Sequence, residues 1–224
     1  MKKASQFNQV LIWLSFILLS SAAASAQNYR GMEPQDRTSF KFMTETTINL
    51  TEWFIQSSAK LKQGGEQLSL PGIVPDRWYP AIVPSTILGT LVEDNVYQDV
   101  FFGKNLDKIK PEEFQVSWWY RTEFLVTPFP GKNTARLELD GVNYRANIWL
   151  NGQKVAEASE IYGAFRRFEL NVTRFIKFGE KNVLAIEVLP PVPGEPSIGF
   201  VDWNPASPDH NMGLWRPVRL KLSG

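Results

Sequence analysis

The sequence predicts an all-β protein, an antiparallel sandwich or jelly roll, and three observations carry that prediction. Apolar residues recur at every second position in several separate segments. Turn-forming dipeptides stand where those segments end. Only one short stretch carries a helical signal. Several short strands with almost no helix are the pattern of packed antiparallel sheets.

Taken in chain order, residues 53–103 hold one or two strands and much loop. A short helix is expected over residues 86–92, with Ser85 as its N-cap after Pro84. In residues 114–126 the even positions Phe114, Val116, Trp118, Tyr120 and Phe124 face one way. Gln115, Ser117, Arg121 and Glu123 face the other, with Trp119 among them. Ala135, Leu137 and Leu139 alternate with Arg136, Glu138 and Asp140. Tyr144, Ala146, Ile148 and Leu150 alternate with Arg145, Asn147, Trp149 and Asn151. Phe168, Leu170 and Val172 form a further alternating strand, and so do Val218, Leu220 and Leu222. Residues 183–189 are almost continuously apolar, as in a strand covered on both faces. Asp140-Gly141 and Asn151-Gly152 both suit tight hairpins, and residues 179–182 separate two more strands. Residues 190–215 form a long Pro-rich insertion, and long ordered loops in compact domains usually serve function.

The N-terminus reads as an address. Lys2 and Lys3 precede the apolar run of residues 10–19, and Ala24-Ser25-Ala26 offers a cleavage site before Gln27. That run is shorter than the ~20 residues of a spanning helix. Residues 1–26 are therefore expected to be a signal peptide and residues 27–47 a polar, flexible leader. Residues 48–224 are the sandwich domain. The protein is expected to be exported, to the periplasm or the extracellular space, with no membrane contact after cleavage.

Composition excludes several chemistries. The 224 residues include 24 Lys+Arg against 23 Asp+Glu, a formal charge of +1, which supplies no field for nucleic acid. No Cys means no disulfide, thiol nucleophile or Cys zinc site. A single His, His210, cannot build a multi-His metal site, and no Gly-x-Ser-x-Gly or phosphate loop occurs. Neither a cofactor nor a catalytic metal is expected; a structural calcium is left open. Sugar recognition fits better, because sugars present apolar C–H faces and rings of hydroxyls. Asp202, Trp203 and Asn204, followed by Asp209-His210-Asn211, offer an aromatic platform with short amides and carboxylates. The alternative leaves Trp203 in a loop core and Asp202 capping a turn.

Several strings in this order resemble the N-terminal sugar-binding domain of glycoside hydrolase family 2. They are Val83-Pro84-Ser85-Thr86, Phe102-Gly103-Lys104-Asn105-Leu106, Trp118-Trp119-Tyr120-Arg121 and Leu139-Asp140-Gly141-Val142-Asn143-Tyr144. Ile148-Trp149-Leu150-Asn151-Gly152, Asp202-Trp203-Asn204-Pro205 and Asn211-Met212-Gly213-Leu214-Trp215-Arg216 complete the set. The last two strings are closest to the β-mannosidase and exo-β-D-glucosaminidase branch. The resemblance implies a galactose-binding-like jelly roll followed by an immunoglobulin-like domain and a catalytic barrel. It implies retaining hydrolysis by two Glu residues on that barrel, and a β-linked oligosaccharide or glycoside as ligand. By motif position it makes Asp202 the loop carboxylate that reaches substrate hydroxyls and Asn105 a second polar pocket residue. The family's acid/base Glu follows an Asn, and no Asn-Glu dipeptide occurs here, so catalytic residues are not assigned within this chain. The expectation is an accessory sugar-binding domain of an exported exo-glycosidase. A free-standing carbohydrate-binding module and a structural docking domain, with Trp119 and Trp149 as its exposed docking face, remain as alternatives.

Overall fold

The computed structural model describes residues 46–73, 77–199 and 203–224. The residues expected to form a signal peptide, and nearly all of the expected leader, lie outside the described residues, as does Asp202. Two antiparallel sheets form a sandwich. The first has four strands: β1 (Thr46–Asn49), β12 (Val218–Ser223), β6 (Thr134–Leu139) and β9 (Phe168–Asn171), in that order. The second has six: β3 (Tyr79–Ile82), β2 (Glu52–Ser57), β5 (Trp118–Leu125), β10 (Lys181–Leu189), β7 (Arg145–Leu150) and β8 (Gln153–Ala156). A two-stranded ribbon pairs β4 (Ser85–Thr86) with β11 (Gly213–Leu214).

The alternation sets which side chains meet between the sheets. Leu137, Leu139, Leu220 and Leu222 from one sheet share a single buried cluster with Tyr120, Ile148, Ile186 and Val188 from the other. Burial of this kind stabilises by ~25 cal/mol per Å² of apolar surface. β10, the apolar run, lies between β5 and β7 and is buried on both faces, as its composition predicts. Asn151 and Gly152 have φ of 53° and 83° and close the β7–β8 hairpin.

The structure corrects three local expectations. The strand expected from Phe114 begins at Trp118, because residues Pro111–Phe114 form a 3-10 turn that buries the Phe114 ring. The helix α2 (Ile87–Glu93) is capped by Thr86, whose hydroxyl accepts from Gly89 N at 3.0 Å. Ser85 is not its cap. Asp140-Gly141 makes no hairpin: β6 and β7 belong to different sheets, so the chain crosses the sandwich there. Gly179 and Glu180 stand between two strands, as expected: β9 in one sheet and β10, which begins at Lys181, in the other.

Trp119 and Trp149 do not form an exposed docking face. They are 4% and 8% exposed and pack on each other with centroids 5.3 Å apart. A short helix, α1 (Gly65–Leu68), covers them and contributes Leu68 to a second small core with Ala185. The outer face of the six-stranded sheet thus buries its own indoles. Arg121, on the polar-patterned face of β5, is buried and pairs with Glu123. Its Nε donates to Leu68 O at 2.9 Å, and its Nη2 donates to Leu70 O at 3.1 Å and to Glu123 at 2.6 Å.

Candidate functional site

The Pro-rich insertion ends in a loop, residues 203–211, that is bound to the sandwich from below and open above. Asp209 is fully buried and anchors it. Its Oδ2 accepts from Leu88 N at 2.8 Å, at the first turn of α2. Its Oδ1 accepts from Ser207 Oγ at 2.6 Å and from Asn211 N at 2.9 Å. One carboxylate therefore supplements the Thr86 cap and closes the loop on itself.

Asn143 holds the other side. It is fully buried, and its Nδ2 donates to the carbonyls of His210 at 2.9 Å and Asn211 at 2.8 Å. Its backbone exchanges two hydrogen bonds with Gly213. These contacts hold His210 and Asn211 at φ of 51° and 55°, a region that Asn tolerates and His rarely visits. With both carbonyls bound inward and Ser207 and Asp209 bonded within the fold, the loop is fixed while Trp203, Asn204 and His210 stay exposed.

The exposed part of the loop carries its aromatic side chain. Trp203 is 81% exposed, which removes the alternative that it is loop core. Asn204 and His210 are exposed, and Asn211 is half-buried with its Nδ2 donating weakly to Ile198 O at 3.4 Å. An aromatic face beside short amides can stack on a pyranose and exchange hydrogen bonds with its hydroxyls. Asp202 falls outside the described residues. Asn105 stands in a separate turn. Its Nδ2 donates to Asp99 O at 3.0 Å, and its Oδ1 accepts from Lys108 Nζ at 2.8 Å. Trp203, Asn204 and Asn211 thus share one loop next to the N-terminus of α2, whereas Asn105 follows that helix's C-terminal end and has no hydrogen bond to the loop among the described residues.

Asp209, expected with His210 and Asn211 among the sugar-facing groups, is instead a buried anchor, and Asn143 was not expected in any role at the loop. Asp209 carried a signal: a carboxylate two residues after Ser207 and two before Asn211 suits paired Asx and Ser turns. Asn143 carried none beyond its place after Asp140-Gly141. Among the described residues no cluster of His, Asp and Glu is arranged to hold a metal.

A family profile described as glycosyl hydrolase 2 galactose-binding domain-like matches residues 53–197. An exo-β-D-glucosaminidase of Streptomyces avermitilis is 34% identical over 217 residues, 96% of this chain and 23% of that protein. An exo-β-D-glucosaminidase of Amycolatopsis orientalis is 35% identical over 173 residues, 77% of this chain and 16% of that protein. The crystal structure of the A. orientalis exo-chitosanase CsxA superposes with a TM-score of 0.75 at 33% identity, covering 80% of this chain and 21% of that one. A β-D-mannosidase from Dictyoglomus thermophilum shares the fold at 23% identity, with a TM-score of 0.58. The chain spans about a fifth of the length of the relatives it matches.

Proposed function

Because the chain belongs to the galactose-binding-like domain family of glycosyl hydrolase 2, we propose that it is the accessory, sugar-facing domain of an exported exo-β-glycosidase. The expected substrate is a β-linked amino sugar, since the relatives at 34% and 35% identity are named exo-β-D-glucosaminidases. The observation that carries this reading is the loop 203–211. It is fixed from beneath by Asp209 and Asn143 while Trp203, at 81% exposure, and Asn204 stay exposed. In this reading Asp202 accepts from substrate hydroxyls, Trp203 walls the ring, and Asn204 and Asn211 complete the hydroxyl contacts. Asn105 serves from its separate turn. Bond cleavage belongs to a Glu pair on an adjoining barrel, and an immunoglobulin-like domain lies between; this domain binds and orients.

The test is kinetic and uses the polypeptide in continuity with whatever the reading frame encodes after Gly224. That frame should continue into a domain carrying an Asn-Glu dipeptide. Asp202→Ala should then lower kcat/KM about 10²–10³-fold, roughly 3–4 kcal/mol at the transition state. Unchanged kinetics would remove Asp202 from the site.

A further inference from the structure

A cleft of about 310 Å³ is lined by Leu91 of α2 together with residues of β2, β3, β5 and the turn before β5. None of its lining residues belongs to the loop 203–211 or to the turn of Asn105. Tyr79, Tyr97 and Trp118 supply aromatic surface, and Ser57 adds a polar wall. Glu112 and Glu113 stand at its rim on the 3-10 turn Pro111–Phe114. That volume is at the lower end of small-ligand sites, ~300–1,000 Å³.

The rim is held in place. Phe114 is buried and stacks on Trp118 with centroids 6.1 Å apart. Glu113 O accepts from Trp118 Nε1 at 3.4 Å. Glu113 Oε2 accepts from Tyr97 Oη at 2.7 Å, which leaves Oε1 with lone pairs for a ligand. Burial first, and then the hydrogen bond and charge of Glu113, push the Tyr97 hydroxyl up, so it stays a donor. Lys60, the cation among the lining residues, points its Nζ over the Tyr79 ring at 5.7 Å. Two carboxylates against one ammonium leave the lining net negative.

We propose that this cleft is a second saccharide site, one that takes a glucosamine unit carrying its free 2-ammonium group. The inference rests on the amino-sugar reading above and adds a site that the reading does not include. The pyranose C–H face packs on the tyrosines, and the ammonium donates to Glu112 and Glu113. Charge-assisted hydrogen bonds of that kind exceed neutral ones, so an N-acetylated unit loses the main contact. Such a site would retain a chitosan-like chain near the domain between cleavage events.

Calorimetry and amide-resonance mapping on the full chain test it, with a β-1,4 glucosamine tetramer and its fully N-acetylated counterpart as probes. The expected result is binding of the glucosamine tetramer that weakens with salt, with shifted amides at residues 57–60 and 111–118. Glu113→Gln should weaken it about tenfold or more, and Glu112→Gln, an exposed change that leaves folding intact, should weaken it too. Asn211→Ala should leave the shifts at residues 57–60 and 111–118 in place, whatever it removes at the loop. Equal binding of the N-acetylated tetramer would overturn ammonium recognition. Binding lost in Asn211→Ala but kept in both Glu variants would place the sugar on the loop, ending the cleft proposal and sparing the loop. No binding of either tetramer would end the cleft proposal and leave the Asp202 kinetics to decide the proposed function separately.

Discussion

Asp209 shows how one side chain sets the site without touching a ligand. It accepts three hydrogen bonds from Leu88 N, Ser207 Oγ and Asn211 N while fully buried. Asp209→Ala leaves those donors unpaired and removes the anion from the first turn of α2. The expected cost is about 2–3 kcal/mol in urea denaturation. Asp209→Asn keeps one acceptor and should lose less. Neither substitution changes the exposure of Trp203 directly, so any loss of sugar contact should follow from loop disorder, read as faster amide exchange in residues 203–213. At this scale the sequence named Asp209 with the sugar-facing groups, whereas the fold buries it as an anchor. Trp203 and Asn211 are recognisable as sugar-facing chemistry from their type. Asn143 earns its role only because residues 67 and 68 positions later in the chain return to it.

The element that most altered the sequence reading is α1. Period-two alternation placed Trp119 and Trp149 on the polar face of their strands, and the register confirms that they lie there, on β5 and β7 beside β10. Alternation says which face a residue occupies, not what covers that face. Here residues 64–70 cover it, held by Arg121 and by Ser69, whose Oγ donates to Gly65 O at 2.7 Å and accepts from Gly152 N at 3.0 Å. Gly65 is required by close approach: a Cβ there would lie 2.1 Å from the Trp149 ring. Gly65→Ala should lift α1 from the sheet and destabilise the domain by about 1–3 kcal/mol. Acrylamide quenching of indole fluorescence should rise in that variant, whereas in the unaltered chain Trp119 and Trp149 stay shielded.

At the scale of the whole molecule, ion pairs tie strands across each sheet and set its response to acid. Burial would raise the Glu123 carboxyl, but hydrogen bonds and charge from Lys181 and Arg121 outweigh it and hold the group below its ordinary value. Asp140 is the same case, with burial opposed and overcome by Arg219 and Arg167. A carboxyl whose folded pKa is lowered contributes stability above its unfolded pKa and loses it as pH falls through the folded one. Urea midpoints should therefore stay level from pH 7 to about pH 5 and decline below about pH 4. Glu123→Gln and Asp140→Asn should each be less stable at pH 7 and show a shallower decline. A decline that is unchanged in both variants would assign acid sensitivity to other groups.

The sequence by itself determined the strands, the sandwich class, the covered central strand β10, the Asn151-Gly152 hairpin and the family. Each of these follows from near-neighbour spacing, because side-chain alternation, continuous apolar runs and turn dipeptides act within a few residues. It also marked the exposed loop chemistry, since an aromatic among short amides has few uses in a core. Tertiary structure alone decided that Asp140-Gly141 crosses between sheets and that Thr86 rather than Ser85 caps α2. It also decided that Trp119 and Trp149 are internal and that Asp209 and Asn143 hold the loop. Those outcomes depend on which distant segment returns to which face. The return is chosen by the total burial and hydrogen bonding of the folded chain, a sum over contacts far apart in sequence that no local pattern records.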